Sequence, residues 1–537
     1  MNFRKISLFY HTVKYLRWSQ LIYRVWYSLR NRLAPPACRP VQLTENIGGR
    51  FSELVRLPDK SNIYFGKNCF KFLNIKHCFE YKIDWEINIY GKLWNYNLNY
   101  FEFINQRYIE INEGVNLIHS FIDSLNPGHP GLEPYPISIR GINLIKYIIS
   151  NKLQDKRILE SLYGQYELLH KNIEYHLLGN HLLENGLSLF AGGIFLNDKN
   201  LINKGKKILH NELEEQILKD GAHYERSPMY HQLILERILD VINILSSCND
   251  PLNNDTTYRL LREKASIMLG WLNAMTFNDG SVPHFNDSTI GVSLDTNILN
   301  SYASDLNIDQ VDIELDNCGY RRFQNNNYDC IVDFGDIGPD YQPGHAHSDT
   351  FSYVLYIKGK PIIVDTGIST YEASYKRLSE KRTSAHNTYQ LSGSEQTEVW
   401  SSFRVARRAH CRIKSENKDY IKAEHTGYKH LGIYSSRTLQ LNNTGIIICD
   451  ELVNSNNLAE GFIHFHPDID ITVSGNLIES DIFSIEFDNH CIINKKSYEY
   501  SEGFNNLKHA VMVELQFYQF MKYEIRVNGY QANEIQE

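Results

Sequence analysis

The side chains best suited to chemistry lie at residues 344–349, Gly-His-Ala-His-Ser-Asp, just before an apolar stretch. Alternate residues of an extended chain share a face, so we expect His345 and His347 to point the same way. Asp365 and His386 follow in the same β-branched region. Two imidazoles and a carboxylate, from His347, Asp365 and His386, suit Zn²⁺. Histidines that are hydrogen-bonded inside a β-rich core account for these residues equally well.

A second polar cluster occupies residues 179–186, Gly-Asn-His-Leu-Leu-Glu-Asn-Gly, at the start of an apolar-periodic segment. The simplest interpretation of Asn180 is a helix N-cap. His181 and Asn185 then share one helical face. An Asn beside a His is also suited to bind a carboxylate or a hydroxyl group, so both interpretations stay open.

A third cluster, residues 220–231, places Tyr224, Glu225 and Tyr230 beside a proline that opens the next predicted helix. The alternative is an ordinary turn with solvated charges. Aromatic residues with nearby polar groups recur at 94–101 and 133–140, and these sets include Tyr96, Tyr100 and Arg140. Such sets suit a cleft for a sugar acid, although aromatic residues more often form a core.

The elements that would position these clusters change in type along the chain. A helical pattern over residues 10–32 ends at Pro35-Pro36, and residues 39–95 lack helical spacing. Residues 98–306 repeat amphipathic helical segments with short breaks, which predicts an array of helical hairpins. After residue 309, short β-branched segments between turn residues predict a β-sandwich. We therefore predict an α+β chain with an N-terminal helix and an extended connecting region at 1–95, a helical domain at 96–315 and a β-sandwich at 316–537.

Composition excludes several classes of protein. The 537 residues are 42% hydrophobic and 22% charged, which is typical of a folded globular chain. A net charge of −8 gives no global surplus for binding nucleic acid. No apolar stretch is long enough to form a transmembrane segment. The N-terminus lacks the apolar core of a signal peptide, so we expect a cytoplasmic protein whose basic N-terminal helix is a candidate contact to the inner membrane.

The nine cysteines are odd in number and show no CxxC spacing. This pattern favours thiols in a reducing compartment over a disulfide framework.

The clusters and their order resemble the heparinase II/III-type polysaccharide lyase family, through residues 94–101, 179–186, 220–231, 344–353, 364–371 and 384–391. The chain looks most like members associated with bacterial extracellular polysaccharide gene clusters. The resemblance implies an incomplete (α/α) toroid followed by an antiparallel β-sandwich, with the active site between them. It also implies β-elimination at a uronic acid of an acidic polysaccharide or oligosaccharide.

The resemblance further implies roles for individual residues. Asn180, with His181 beside it, would neutralise the C5 carboxylate of the substrate. Tyr230 would be the catalytic acid and a candidate base, and His345 would stabilise its phenolate or act as the base. Residues expected to contact the substrate are Tyr96, Tyr100, Arg140, Tyr224 and Glu225, with Tyr224 also the second choice for the catalytic tyrosine. The residues expected to hold a structural zinc ion are His347, Asp365 and His386. One departure from the family pattern is Ser436, where a histidine is expected before Arg437.

Three functions compete at this point. The first is a lyase for a uronate polysaccharide, linked to exopolysaccharide or capsule metabolism. The second is a glycoside hydrolase, which needs an acid and a second carboxylate, with Glu184, Asp220 and Glu225 as candidates. The third is a non-catalytic glycan-binding protein of a polysaccharide assembly pathway. Product absorbance separates the first two, because only elimination creates a conjugated double bond.

Overall fold

The structure is a computed structural model that describes residues 3–34, 36–43, 50–60, 62–250, 252–488 and 491–528. Its first half is helical. The α-helices in the described part are α1 (Phe3–Val13), α2 (Trp18–Leu33), α3 (Lys92–Tyr100), α4 (Ile111–Ser124), α5 (Pro134–Ser150), α6 (Lys156–Lys171), α7 (Gly179–Leu196), α8 (Lys199–Gln216), α9 (Pro228–Ser246), α10 (Thr256–Met275), α11 (Thr296–Asp305) and α12 (Tyr375–Lys381).

Local sequence explains where the toroid helices begin. Asp155, Asp198, Ser227 and Asp255 cap α6, α8, α9 and α10, because each side chain accepts a hydrogen bond from a backbone N–H of the first turn. Helix α7 lies at the centre and packs against α5, α8 and α9. A Cβ on Gly205 of α8 would lie 2.6 Å from the backbone nitrogen of Phe190, so glycine permits this close packing.

The second half consists of antiparallel strands. They are β1 (Cys69–Phe72) and β2 (Ile75–Cys78) in the connecting region, then β3 (Tyr320–Gln324), β4 (Tyr328–Asp333), β5 (Tyr353–Ile357), β6 (Lys360–Ile363), β7 (Tyr389–Leu391), β8 (Val399–Ser401), β9 (Arg404–Val405), β10 (Cys411–Asn417), β11 (Tyr420–His425), β12 (Tyr434–Asn442), β13 (Gly445–Val453), β14 (Leu458–His464), β15 (Thr472–Ser474), β16 (Leu477–Glu479), β17 (Phe483–Phe487), β18 (Ile492–Gly503), β19 (Asn506–Tyr518) and β20 (Phe520–Val527).

Three main sheets form the sandwich region. An eight-stranded sheet has the order β10-β11-β12-β13-β20-β17-β16-β15, and two four-stranded sheets have the orders β18-β19-β14-β7 and β3-β4-β5-β6. Register follows side-chain alternation: β11 buries Ile421, Ala423 and His425 on one face. The predicted fold class, a toroid followed by an antiparallel sandwich, is confirmed.

The two halves share an apolar contact. Trp271 and Phe277 from the end of the helical half pack in one buried cluster with Tyr320, Val354 and Tyr356 of the β3–β6 sheet. Phe277 and Tyr356 stack with ring centroids 3.9 Å apart. This contact fixes the sheet against the toroid, and the candidate site lies beside it.

Three local expectations differ from the structure. The single helix predicted over residues 10–32 is two helices, α1 and α2, separated by a turn. The helical region expected to begin at residue 98 begins earlier, with α3 at Lys92, and α3 is followed by a 3₁₀ turn at Glu102–Asn105. Cys69 and Cys78 pair across the β1–β2 hairpin as a disulfide, so the expectation of thiols alone is wrong for this pair.

No helix in the described ranges is long and apolar enough to cross a membrane.

Candidate active site

Asp287 is the centre of the polar network between the two halves. It lies in the loop after α10, and its side chain is fully buried. Arg377 of α12 donates to both carboxylate oxygens, at 2.6 and 2.7 Å. His345 and His347 contact the same two oxygens, each at 2.8 Å. Burial opposes ionisation, but Arg377 and the two imidazoles outweigh it and hold the pKa of Asp287 well below its ordinary value.

Asp287 fixes the orientation of His345. The contact uses Nδ1 of the ring, so Nδ1 carries the proton and Nε2 is left as the basic nitrogen. Nε2 lies 3.8 Å from Oε2 of Glu225, which is beyond hydrogen-bond distance. A carboxylate on one nitrogen and an uncommitted second nitrogen are the arrangement of a general base.

Tyr230 stacks on His345. Ser227 caps α9 by accepting a hydrogen bond from the backbone N–H of Tyr230, which places this tyrosine in the first turn. The Tyr230 and His345 rings have centroids 3.8 Å apart and planes 31° apart. Tyr371 donates from its hydroxyl to Oη of Tyr230 at 3.2 Å. Burial, followed by Tyr371 and Asp287, raises the pKa of Tyr230 well above its ordinary value, so the phenol stays protonated at neutral pH.

Asn180 faces this pair across Glu225. The backbone N–H of Asn180 donates to Oε1 of Glu225 at 3.1 Å. A Cβ on Gly179 would lie 2.7 Å from the same oxygen, and Gly179 has φ +64, so only glycine fits before Asn180. The side-chain oxygen of Asn180 is buried without a hydrogen-bond partner in the described part. The amide is therefore not committed to the protein and is available to a ligand.

His181 is held beside Asn180 by a separate network. Its Nδ1 contacts Oε1 of Glu174 at 3.0 Å, and its ring lies 4.4 Å from that of Tyr135. Asn185 donates to Oε2 of Glu174 at 3.0 Å and so fixes the carboxylate. The half-buried rings of His181 and Tyr135 give this side of the cleft a polar and aromatic wall.

The opposite wall contains residues that the sequence analysis did not single out. Tyr371 lies in the segment after β6, and Phe403 lies between β8 and β9 with 43% of its surface exposed. Their ring centroids are 5.3 Å apart. The guanidinium of Arg377 lies 4.8 Å from the Tyr371 ring centroid, beneath this wall. Two aromatic rings above a buried cation provide a surface on which a sugar ring can stack.

The structure places Arg140 away from this site, which corrects its expected role in substrate binding. Arg140 is fully buried, and its nitrogens donate to Gln165 and to the backbone oxygens of Asn99 and Gly131. These bonds join α5 to α6, to α3 and to the 3₁₀ turn at Pro130–Leu132. Burial also lowers the pKa of Arg140 to about 9. Its function is therefore to connect the toroid helices.

The other four residues that were predicted to contact the substrate have different surroundings. Tyr100 is buried and packs near Tyr135, and Tyr96 donates to Oε2 of Glu133 at 2.5 Å. Tyr224 is buried and accepts a hydrogen bond from the hydroxyl of Tyr341 at 3.1 Å. Glu225 is the member of this group that lies between Asn180 and His345. The substrate contacts of all four residues stay predictions.

The expected zinc ligands lie together behind His345. Two of them, His347 and His386, have a ring nitrogen free to bind a metal ion. His347 Nδ1 and His386 Nε2 are buried without partners, and the two rings have centroids 5.2 Å apart. Asp365 Oδ2 contacts Nδ1 of His386 at 2.8 Å, so it orients that ring from its other side. In the described ranges, no three His, Cys, Asp or Glu side chains form a group that could hold a metal ion. Zinc binding stays a prediction, because the two unpartnered imidazole nitrogens could still bind the ion.

Asp220 and Glu184, two of the carboxylates that a hydrolase could use, are both buried. Asp220 accepts hydrogen bonds from the backbone N–H groups of Asp316 and Cys318, at 3.2 and 2.8 Å. Glu184 is buried, with Oε2 3.5 Å from Nε of Arg237. Burial raises the pKa of Glu184 to about 7, and the nearby Glu236 adds to the rise while Arg237 opposes it.

The raised pKa of Glu184 predicts a pH-dependent stability. The folded state holds this proton up to about pH 7, whereas the unfolded chain releases it at about pH 4.3, so the free energy of unfolding falls as pH rises through this window. Glu184→Gln removes the effect, and Arg237 keeps Asp240 at 3.0 Å as a partner. From pH 5 to pH 8, the free energy of unfolding of wild type should fall by on the order of 1–3 kcal/mol more than that of the variant. Urea unfolding at both pH values measures this difference, and equal pH dependence in both proteins would contradict the prediction.

Comparisons with known proteins agree with the fold. The Heparinase II/III N-terminus model matches residues 144–308, and the Heparinase II/III-like, C-terminal model matches residues 310–525. A search of curated protein sequences found no significant match. A solved heparinase III superposes with a TM-score of 0.65 at 15% identity, covering 95% of this chain and 92% of that chain.

Two further solved structures share the fold. A heparan sulfate lyase mutant from Pedobacter heparinus has a TM-score of 0.59 at 15% identity, with 96% of this chain and 88% of that chain covered. A chondroitin AC lyase from Streptomyces coelicolor A3 has a TM-score of 0.50 at 6% identity, with 82% and 75% covered. The two family models together cover more than half of the chain, which identifies it as a polysaccharide lyase. The chain belongs to the heparinase II/III family.

Proposed function

We propose that this lyase cleaves a uronic-acid-containing polysaccharide by β-elimination. The observation that carries the proposal is the stacked pair of Tyr230 and His345, with Nδ1 of His345 held by Asp287. A protonated phenol and a basic imidazole nitrogen then lie at one point of the cleft. The uncommitted amide of Asn180 lies across Glu225 from them.

Each group takes one part of the reaction. The side-chain NH₂ of Asn180, with His181 beside it, donates to the C5 carboxylate and stabilises the negative charge that develops there. Nε2 of His345 removes the C5 proton, and the electron pair forms the C4–C5 double bond as the C4–O bond breaks. Tyr230 transfers its phenolic proton to the leaving oxygen. The products are a chain with a free hydroxyl and a chain that ends in an unsaturated uronate.

The ultraviolet absorbance of the conjugated double bond in the unsaturated uronate tests this proposal. Purified protein is incubated with a panel of uronate polysaccharides, and both absorbance and new reducing ends are recorded. We expect the two signals to rise together. Reducing ends without absorbance would establish a hydrolase, and glycan binding without either signal would establish a non-catalytic binding protein.

The proposed substrate is a bacterial exopolysaccharide or capsule that contains a uronic acid. The resemblance of the sequence clusters to family members from extracellular polysaccharide gene clusters supports this choice. Heparan sulfate and chondroitin sulfate serve as the comparison substrates, because enzymes with those substrates share the fold. A kcat/KM that is higher on either of them than on uronate exopolysaccharides would contradict the assignment.

We also propose one structural zinc ion at His347 and His386, with Asp365 as a further ligand or as the partner that orients His386. A bound zinc would fix the strands behind His345, and His347 already contacts Asp287, which holds His345. Elemental analysis should find about one zinc per chain. His386→Ala should lose the metal and unfold at a lower temperature, whereas the exposed His509→Ala should keep both. Metal-free wild-type protein whose unfolding temperature does not respond to added zinc would exclude the site.

A further inference from the structure

Helix α2 is attached to the protein by its polar face. Gln20 is fully buried, and its amide donates to the backbone oxygens of Leu177 and Tyr341, each at 3.2 Å. Tyr27 donates from its hydroxyl to the backbone oxygen of Ile173 at 2.6 Å. Amphipathic helices of globular proteins usually bury their apolar face, so this attachment is inverted.

The apolar face of α2 consequently faces outward. Its members recur every three or four residues, so they form one stripe along the helix, and each is between 51% and 85% exposed: Trp18, Ile22, Val25, Trp26, Leu29 and Leu33. Helix α1 repeats the arrangement. Its Thr12 donates to the backbone oxygen of Val405 and accepts from the indole of Trp400, while Phe3, Ile6, Phe9 and Tyr10 are exposed. We call these ten exposed residues the outer apolar face.

The charged residues within the segment that carries the outer apolar face are of one sign. Residues 1–44 contain eight Lys and Arg and no Asp or Glu, although the whole chain has a net charge of −8. Some of these cations bind the protein, as Arg17 does through Glu215. Lys5, Lys14 and Arg32 are exposed beside the apolar stripes. The surface therefore fits a partner that is apolar in its interior and negatively charged at its boundary.

We propose that the outer apolar face docks the protein on an anionic lipid bilayer. Helices of this kind lie in the plane of the interface, with the apolar stripe among the acyl chains and the cations at the headgroups. Two tryptophans on α2 suit this depth, because indole rings concentrate at membrane interfaces. A second copy of the chain is a poorer occupant, since a two-fold contact would place the same cationic surface against itself.

Docking would hold the active site close to the membrane. The backbone oxygens that anchor Gln20 belong to Leu177 and Tyr341, which precede Asn180 and His345 in the loops that deliver these residues to the cleft. Helix α2 is thus hydrogen-bonded to the two loops that lead to Asn180 and His345. This inference does not depend on the reaction that the site performs.

Vesicle flotation with the full chain tests the proposal. We expect wild-type protein to float with phosphatidylcholine vesicles that contain about 30% phosphatidylglycerol. With pure phosphatidylcholine vesicles, it should remain unbound at the bottom of the gradient. Trp18→Glu/Trp26→Glu should lower the bound fraction at least about tenfold, because it places two anions in the inserted stripe. Lys5→Glu/Lys14→Glu should weaken binding to the anionic vesicles in the same direction.

A matched control separates insertion from general surface effects. Tyr81→Glu/Tyr108→Glu changes two side chains elsewhere that are each 88% exposed, and this variant should float like wild type. Thermal unfolding of each variant verifies that it is folded. The proposal is overturned if wild type does not bind the anionic vesicles or if the control loses binding as strongly as Trp18→Glu/Trp26→Glu. It is also overturned if light scattering shows a wild-type dimer that the tryptophan variant converts to a monomer without any vesicle binding.

Discussion

Tyr230→Phe lowers kcat by about 10²–10⁴-fold on a uronate polysaccharide, because the leaving oxygen then departs without a proton donor. The substitution removes one oxygen atom and keeps the ring, so the stacking on His345 at 3.8 Å is preserved. KM should change by less than about threefold, since the amide of Asn180 and the aromatic walls still bind the sugar. Initial rates from the absorbance of the unsaturated product measure both constants.

Tyr224→Phe is the control with the same chemical change. Tyr224 lies on a neighbouring turn, and its hydroxyl accepts from Tyr341 instead of facing His345. Loss of that hydrogen bond should leave kcat within about threefold of wild type. If Tyr224→Phe abolishes elimination and Tyr230→Phe does not, the acid is Tyr224 and the proposed geometry is wrong.

The helices and the change to strands could be predicted because periodicity is a local property. Helix α9 begins at Pro228 after a capping Ser227, and both signals lie within the element that they start. The same holds for Asn180, which lies at the first turn of α7 and was singled out from its immediate neighbours. The structure brings Asn180, Tyr230 and His345 close together, and their catalytic roles stay predictions.

Asp287 could not be found this way. Its partners His345, His347 and Arg377 are 58, 60 and 90 residues away along the chain. No periodic pattern surrounds the loop in which it lies. Its importance comes from four hydrogen bonds to two oxygens, which exist only once α12 and the sandwich are packed against the toroid.

Arg140 is the opposite case, a residue that the sequence analysis singled out as a substrate contact but that lies outside the site. An arginine near tyrosines looked like a clamp for a sugar acid, but residue type does not report burial. The same guanidinium satisfies buried backbone oxygens that would otherwise lack donors, as its bond to Gly131 shows. Only the packing of α5 against α6 distinguishes these two uses of arginine.

Asp287→Asn should have the largest combined effect on activity and stability. An asparagine has one acceptor oxygen, whereas Asp287 accepts from Arg377, His345 and His347 with two. His345 loses the partner that fixes its tautomer, so we expect kcat to fall by about 10²–10⁴-fold with little change in KM. Arg377 loses its buried counter-charge, which should cost on the order of 3–5 kcal/mol in the free energy of unfolding.

The two effects of Asp287→Asn can be separated with a second buried pair. Asp450 accepts from Arg437 at 2.6 and 2.7 Å inside the sandwich, and both residues are buried. Asp450→Asn should therefore lose a similar amount of stability while the folded enzyme keeps its kcat. Adding Arg377→Met to Asp287→Asn should restore part of the stability and none of the activity, since the buried cation is removed but His345 stays unfixed. If Asp450→Asn lowers kcat as strongly as Asp287→Asn, then Asp287 acts through the stability of the fold and not by positioning His345.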